Sequence, residues 1–121
     1  MRILIVEDDA LIALSIEDIL TEAGHTVVGL APSKLRASHL ARQTHPDLAL
    51  IDLRLSDGMT GADLARDFVK SHLPTIIVSA LPREIDETIP KVPYISKPFT
   101  SEMLLRTVGK LGRAIGRGEA A

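Results

Sequence analysis

The stretch Leu48-Ala49-Leu50-Ile51-Asp52-Leu53-Arg54-Leu55 is a run of apolar residues interrupted by one carboxylate. His45-Pro46-Asp47 precedes it and Ser56-Asp57-Gly58 follows it, so turn formers bound it on both sides. A short apolar run bounded in this way reads as a strand buried on both faces. An ionised Asp inside such a strand would be stripped of water at high cost, which puts Asp52 at the strand's end, where the chain leaves the sheet. In open parallel α/β sheets that carboxyl edge is where ligands bind.

The same pattern recurs on either side. Upstream, Arg2 to Val6 is a second buried strand and runs straight into Glu7-Asp8-Asp9. Ala10 to Ala23 has helical spacing, with Ile12, Ile16, Ile19, Leu20 and Ala23 on one face, and Gly24 is placed to end it. Thr26 to Ala31 is a strand, Ser33 an N-cap, and Lys34 to Gln43 a helix expected to turn Leu35 and Leu40 inward, broken by Pro46. Downstream, Ala62 to Ser71 is a helix with Leu64, Ala65, Phe68 and Val69 on one side, and Thr75 to Ser79 is a strand. Pro82 and Pro90 limit any helix between them to about two turns. Val92 to Ser96 contains Pro93, which suits a sheet edge. Lys97-Pro98-Phe99 turns the chain, Thr100 or Ser101 caps a last helix with Leu104, Val108, Leu111 and Ile115 inward, and 116–121 read as a frayed tail. Strand and helix thus alternate five times within one domain spanning 1–121, which predicts a parallel sheet with helices on both faces.

Composition narrows the class of function. The chain has 121 residues, is 45% hydrophobic and only 2% aromatic, so its core must be aliphatic. A formal charge of −2 argues against a general nucleic-acid binder. Without Cys there are no disulfides, thiolate nucleophiles or Cys-based zinc sites. No apolar run is long enough to span a membrane and the N-terminus lacks a signal-peptide pattern, so a soluble cytoplasmic protein is expected. His25, His39, His45 and His72 share no metal-site spacing. Arg106, Lys110, Arg113 and Arg117 fall on the last helix opposite its apolar stripe and read as a solvated basic face.

Chemistry gathers at the strand ends. Glu7-Asp8, Asp52 and Ser79 follow the first, third and fourth strands, and Lys97 follows the fifth. In a parallel sheet these ends lie along one edge. Two carboxylates ~4 Å apart repel by ~4 kcal/mol at an effective dielectric of ~20. With one Lys to compensate three carboxylates, either some are protonated or a divalent cation completes the site. Mg²⁺ (or Mn²⁺) suits such a cluster, because it takes oxygen ligands and shares them with phosphate. The three carboxylates, Lys97 and the cation then sum to zero charge. Such a site could accept a phosphoryl group, with Asp52 as nucleophile, Lys97 and the cation neutralising its oxygens, and the Ser79 hydroxyl bonding one of them.

The I-L-I-V-E-D-D opening, the P-D-L-A-L-I-D-L segment, the I-I-V-S-A strand end and the S-K-P-F turn resemble, in order and spacing, the receiver domain of two-component response regulators. The resemblance covers nearly the whole chain. It implies a flavodoxin-like three-layer (βα)5 fold with a five-stranded parallel sheet in the order 2-1-3-4-5. It also implies Asp52 as phosphoacceptor, Glu7 and Asp8 as the acidic pair with Asp8 a direct metal ligand, and the backbone carbonyl of Arg54 as a further ligand. Ser79 becomes the switch hydroxyl, Tyr94 the aromatic switch residue and Lys97 the site lysine, followed by a cis bond to Pro98. Asp9 is left to begin the first helix. The implied partners are a sensor histidine kinase or histidine phosphotransfer protein and a downstream protein, with no direct role for nucleic acid or membrane. Apart from its own phosphorylation and dephosphorylation, no enzymatic turnover is implied.

The chain departs from that pattern in two places. The loop from Asp52 to Gly61 is one residue longer than usual, with Ser56 where proline is common. Between Ser79 and Tyr94 the segment is short, carries three prolines (Pro82, Pro90 and Pro93) and lacks the Gly-Ala pair usual before the aromatic, so the usual dimerisation face is not expected. Two other readings stay open. One is a small Mg²⁺-dependent phosphohydrolase or phosphotransferase with an aspartyl nucleophile, opposed by a length that leaves no room for a cap domain. The other is the receiver fragment of a longer regulator, for which the glycine-rich end would be a linker stub.

Overall fold

The computed structural model describes residues 1–82 and 87–119. The elements in chain order are β1 (Arg2–Val6), α1 (Ala10–Glu22), β2 (Thr26–Ala31), α2 (Lys34–Thr44), β3 (Leu48–Ile51), α3 (Gly61–Lys70), β4 (Thr75–Ser79), β5 (Tyr94–Ser96) and α4 (Ser101–Gly116). All five strands pair in parallel in the order β2-β1-β3-β4-β5. This is the expected flavodoxin-like three-layer arrangement, with four helices among the described residues. Among those residues no helix is long and apolar enough to cross a membrane.

Strand alternation divides the core in two. Leu4, Val6, Ala49, Ile51 and Ile77 face a cluster closed by Ala37 of α2 and by Leu64, Ala65 and Phe68 of α3. Their neighbours Ile3, Ile5, Leu48, Leu50, Ile76 and Val78 face the other side, against Ala13, Ile16 and Leu20 of α1 and Leu104 and Val108 of α4. Because β1, β3 and β4 are covered on both faces, their sequences read as unbroken apolar runs.

Helix boundaries follow local chemistry. Asp9 is the N-cap of α1, accepting from the amides of Leu11 and Ile12, and Gly24 stands just past its end at φ +93°. Ser33 caps α2 by accepting from the Arg36 amide, and Thr100, not Ser101, caps α4 by accepting from Met103. β5 is an edge strand and begins just after Pro93.

Three expected core positions are corrected. Leu35 is 79% exposed, because it lies five residues before Leu40 and so about 140° away from it around the helix. Ala37 and Leu40 face the sheet instead. Val69 is exposed at the rim of the α3 stripe, and Ala23, already the C-cap of α1, is exposed as well. The short helix allowed between Pro82 and Pro90 falls largely on residues 83–86, outside the described residues; Glu87 and Thr88 form a turn and Ile89 is buried. Of the expected tail, the chain is described to Glu119, whose amide donates to the Ala114 carbonyl at 2.9 Å, and 120–121 lie outside the described residues.

Candidate functional site: an acidic cluster at the carboxyl edge of the sheet

Parallel pairing carries the ends of β1, β3, β4 and β5 to one edge. The Glu7 amide donates to Ala31 at 2.9 Å, the Asp52 amide to the Val6 carbonyl at 2.9 Å, and the Lys97 amide to the Ser79 carbonyl at 3.0 Å. These bonds prolong the ladder by one residue on each strand and fix where the site side chains leave the backbone. β3 itself ends at Ile51, so Asp52 sits where the cost of burying a charge demands.

Glu7, Asp8 and Asp52 each offer a carboxylate oxygen, and these oxygens lie within 4.8 Å of one another. The Lys97 ammonium is placed between two of them, donating to Asp52 Oδ2 at 2.7 Å and to Glu7 Oε1. The side chains of Glu7, Asp52 and Lys97 are only 3%, 12% and 14% exposed, so water screens these charges weakly. The second Glu7 oxygen, Oε2, is buried without a hydrogen-bond partner. Burial, and then the proximity of Asp52, raise the Glu7 carboxyl from its ordinary value of 4.5 to about 7, against the pull of Lys97. Burial alone would lower the Lys97 ammonium, but its bonds to Asp52 and Glu7 more than offset this and leave it raised.

Ser79 is buried at the end of β4, where its hydroxyl accepts from the Leu81 amide at 3.1 Å. Tyr94 is half-buried at the start of β5, and its hydroxyl donates to the Leu81 carbonyl. The two residues therefore grip the same turn from opposite sides. Arg54 is exposed between the buried Leu53 and Leu55 on the loop after Asp52. The Lys97–Pro98 bond is cis.

Gly61 adds to this set. A Cβ there would lie 2.6 Å from Leu53 Cα and closer still to the Asp52 carbonyl oxygen. The chain returning into α3 crosses directly over the backbone of Asp52, and only glycine permits that approach. Nothing in the turn-rich sequence separates Gly61 from Gly58, so the signal lies in the packing.

Features away from the edge do not join the site. None of the four histidines belongs to a carboxylate or metal-ligand group among the described residues, and His25 Nδ1 lies 3.1 Å from the Met1 amine. A 690 Å³ concavity lined by Arg42, His45, Asp47 and His72 lies where the chain enters β3 and β4, at the opposite end of the sheet. Arg106, Lys110, Arg113 and Arg117 are exposed along α4, with Arg106 paired to Glu102 and Arg117 to Glu119.

The arrangement is that of an open parallel α/β domain with a lysine-bridged carboxylate cluster at the carboxyl edge of its sheet. The family model of the response regulator receiver domain matches residues 3–109, and the chain belongs to that family. Receiver domains work in two-component signalling with histidine kinases or phosphotransfer proteins, and they bind Mg²⁺ at an acidic pocket. The chain is 37% identical over 102 residues to the phyllosphere-induced regulator PhyR of Methylorubrum extorquens, covering 81% of this chain and 38% of that protein. It is 31% identical over 114 residues to the polar-differentiation response regulator DivK of Brucella ovis, covering 88% and 91%. The solution structure of the receiver domain of Erythrobacter litoralis PhyR superposes with a TM-score of 0.83 at 29% identity, over 90% of this chain and 87% of that one. Against PhyR, then, the chain spans well under half of its relative's length.

Proposed function

We propose that this chain takes up a phosphoryl group on Asp52 and passes the change to a protein partner. The observation that carries the reading is the Lys97 ammonium held between Asp52 and Glu7, beside Asp8, at the one edge where a parallel sheet exposes its ligands. An Asp52 carboxylate oxygen attacks the phosphorus of a phosphohistidine. The P–N bond breaks, its electron pair returns to the imidazole nitrogen, which is protonated, and an acyl phosphate remains. Lys97 is already within hydrogen-bonding distance of the nucleophile and turns its charge to the arriving phosphoryl oxygens. The Ser79 hydroxyl, whose oxygen accepts from Leu81, keeps its own proton to donate to one of them. Hydrolysis of the acyl phosphate by water resets the domain, and no external substrate is turned over.

The donor set fits a hard divalent cation. It offers only carboxylates, supplemented by the Arg54 backbone carbonyl, and one of its oxygens, Glu7 Oε2, is buried and unpartnered. Asp8 and Asp52 would be direct ligands of Mg²⁺ or Mn²⁺, with Glu7 completing the acidic pair. When bound, the cation supplies positive charge that offsets the charge of the phosphoryl oxygens. Tyr94 and Ser79, joined through Leu81, form the link from the site to the surface beside β5.

The reading puts the chain in the cytoplasm, with a histidine kinase or phosphotransfer protein upstream. A second reading, as the receiver portion of a longer regulator, is favoured by the 38% coverage of the Methylorubrum PhyR. Intact mass after incubation with acetyl phosphate tests the chemistry. A single phosphoryl adduct that requires both Mg²⁺ and Asp52, and is lost in Asp52→Asn, is the expected result. No adduct and no metal binding would overturn the proposal.

A further inference from the structure

The loop between Asp52 and Gly61 does more than return the chain to α3. At its far end the Ser56 amide donates to the Pro32 carbonyl at 2.9 Å, just before α2. Asp57 then reaches the first turn of that helix: Oδ1 accepts from the Lys34 amide at 3.1 Å and Oδ2 from the Leu35 amide at 3.4 Å. Oδ1 also accepts from the Thr60 hydroxyl at 2.7 Å, which orients the carboxylate from within the loop. That bond first, and then the α2 amides, hold the Asp57 carboxyl below its ordinary value, so it is ionised.

α2 has no acidic residue in its own first turn, and Ser33 serves only the Arg36 amide. Asp57 therefore supplies from 23 residues away the negative charge and the two acceptors that the positive end of α2 lacks. The loop is also pinned internally. Leu55 and Gly58 exchange backbone hydrogen bonds at 2.8 and 3.0 Å, Gly58 has φ +106°, and the Gly61 amide donates to Leu53 at 3.0 Å. Arg54, whose carbonyl the proposed function assigns to the metal, lies between the buried anchors Leu53 and Leu55.

We infer that Asp57 is a positioning residue for the metal site: by fastening the loop to the N-terminus of α2 it sets the Arg54 carbonyl, and it couples occupancy of the site to that helix end. The inference rests on the proposed metal role of the cluster. Exposed Leu35 and Met59 lie beside the clamp, so the coupling surfaces at the top of α2, away from β5.

The test is Mg²⁺ titration of metal-free protein by calorimetry, with the amide NMR signals of Lys34 and Leu35 followed in parallel. Asp57→Ala should weaken Mg²⁺ binding about tenfold. In the wild type the two amides should shift as Mg²⁺ is added. Ser33→Ala, which frays the same helix end without touching the loop, should leave the affinity unchanged. Equal weakening by Ser33→Ala, or wild-type affinity in Asp57→Ala, would overturn the inference. If Asp57→Ala does not fold, Asp57→Asn, which keeps one acceptor but no charge, should weaken Mg²⁺ binding by less than about tenfold, and wild-type affinity in it would overturn the inference too. Absence of Mg²⁺ binding by the wild type would remove the metal reading and this inference together, whereas wild-type binding with an indifferent Asp57→Ala removes this one alone.

Discussion

Replacing Glu7 by Gln should remove the pH dependence that the metal-free site imposes on folding. Glu7 is buried beside Asp52, and its carboxyl is raised from 4.5 to about 7. The folded protein therefore holds a proton that the unfolded chain has released across that interval. Its contribution to stability is fully present below pH 4.5 and is lost as the pH rises through about 7. Each tenfold change in proton affinity is about 1.4 kcal/mol, so the loss is about 3 kcal/mol over the whole interval. His25 works the other way, since burial and the N-terminal charge lower its pKa, and its contribution is lost as the pH falls. Both proteins share that term, and the difference between them cancels it. Urea unfolding in EDTA, from about pH 4.5 to about pH 8, should show Glu7→Gln gaining about 3 kcal/mol on the wild type, with added Mg²⁺ restoring the wild type above neutrality. A difference independent of pH, or one of opposite sign, would refute the reasoning.

Two further substitutions test the packing around the site. Gly61→Ala places a Cβ 2.6 Å from Leu53 Cα, and backbone cannot yield as a flexible side chain would; the expected cost is about 3 kcal/mol or more, read by chemical denaturation, and a neutral result would refute the close crossing over Asp52. Leu35→Ala should change stability by no more than about 0.5 kcal/mol, whereas Leu50→Ala, which is 1% exposed, should cost about 2–5 kcal/mol. Equal costs at the two leucines would contradict the orientation of α2.

Much of this was legible in the chain because burial on both faces leaves a strand no polar position to spend. β1, β3 and β4 announce themselves as apolar runs, and the polar residue that closes each run marks the sheet edge. Glu7, Asp52 and Ser79 are found by that rule alone, and Lys97 by its place after β5. Helix faces were less legible where the apolar residues are few. In α2 Leu35 and Leu40 share no face, and Ala37, the residue that does seat the helix, carries little hydrophobic signal. Asp57 was hidden for another reason. A Ser-Asp-Gly turn explains itself locally, and only the fold reveals that its carboxylate belongs to a helix 23 residues earlier. The missing acid in the first turn of α2 was the available clue.

The lysine that bridges Asp52 and Glu7 arrives just after the shortest strand of the sheet, at its edge. β5 is three residues long and paired only to β4, while β1 and β3, which bring the carboxylates, are each flanked by strands on both sides. Short, singly paired edges open at far lower free energy than the centre of a sheet. An opening of β5 would carry Lys97 away from Asp52 and Glu7 and leave their charges without its ammonium. Amide exchange at Ile95 and Lys97 would thus report how firmly the ammonium is held, and whatever steadies β5 from outside would also hold Lys97 between Asp52 and Glu7.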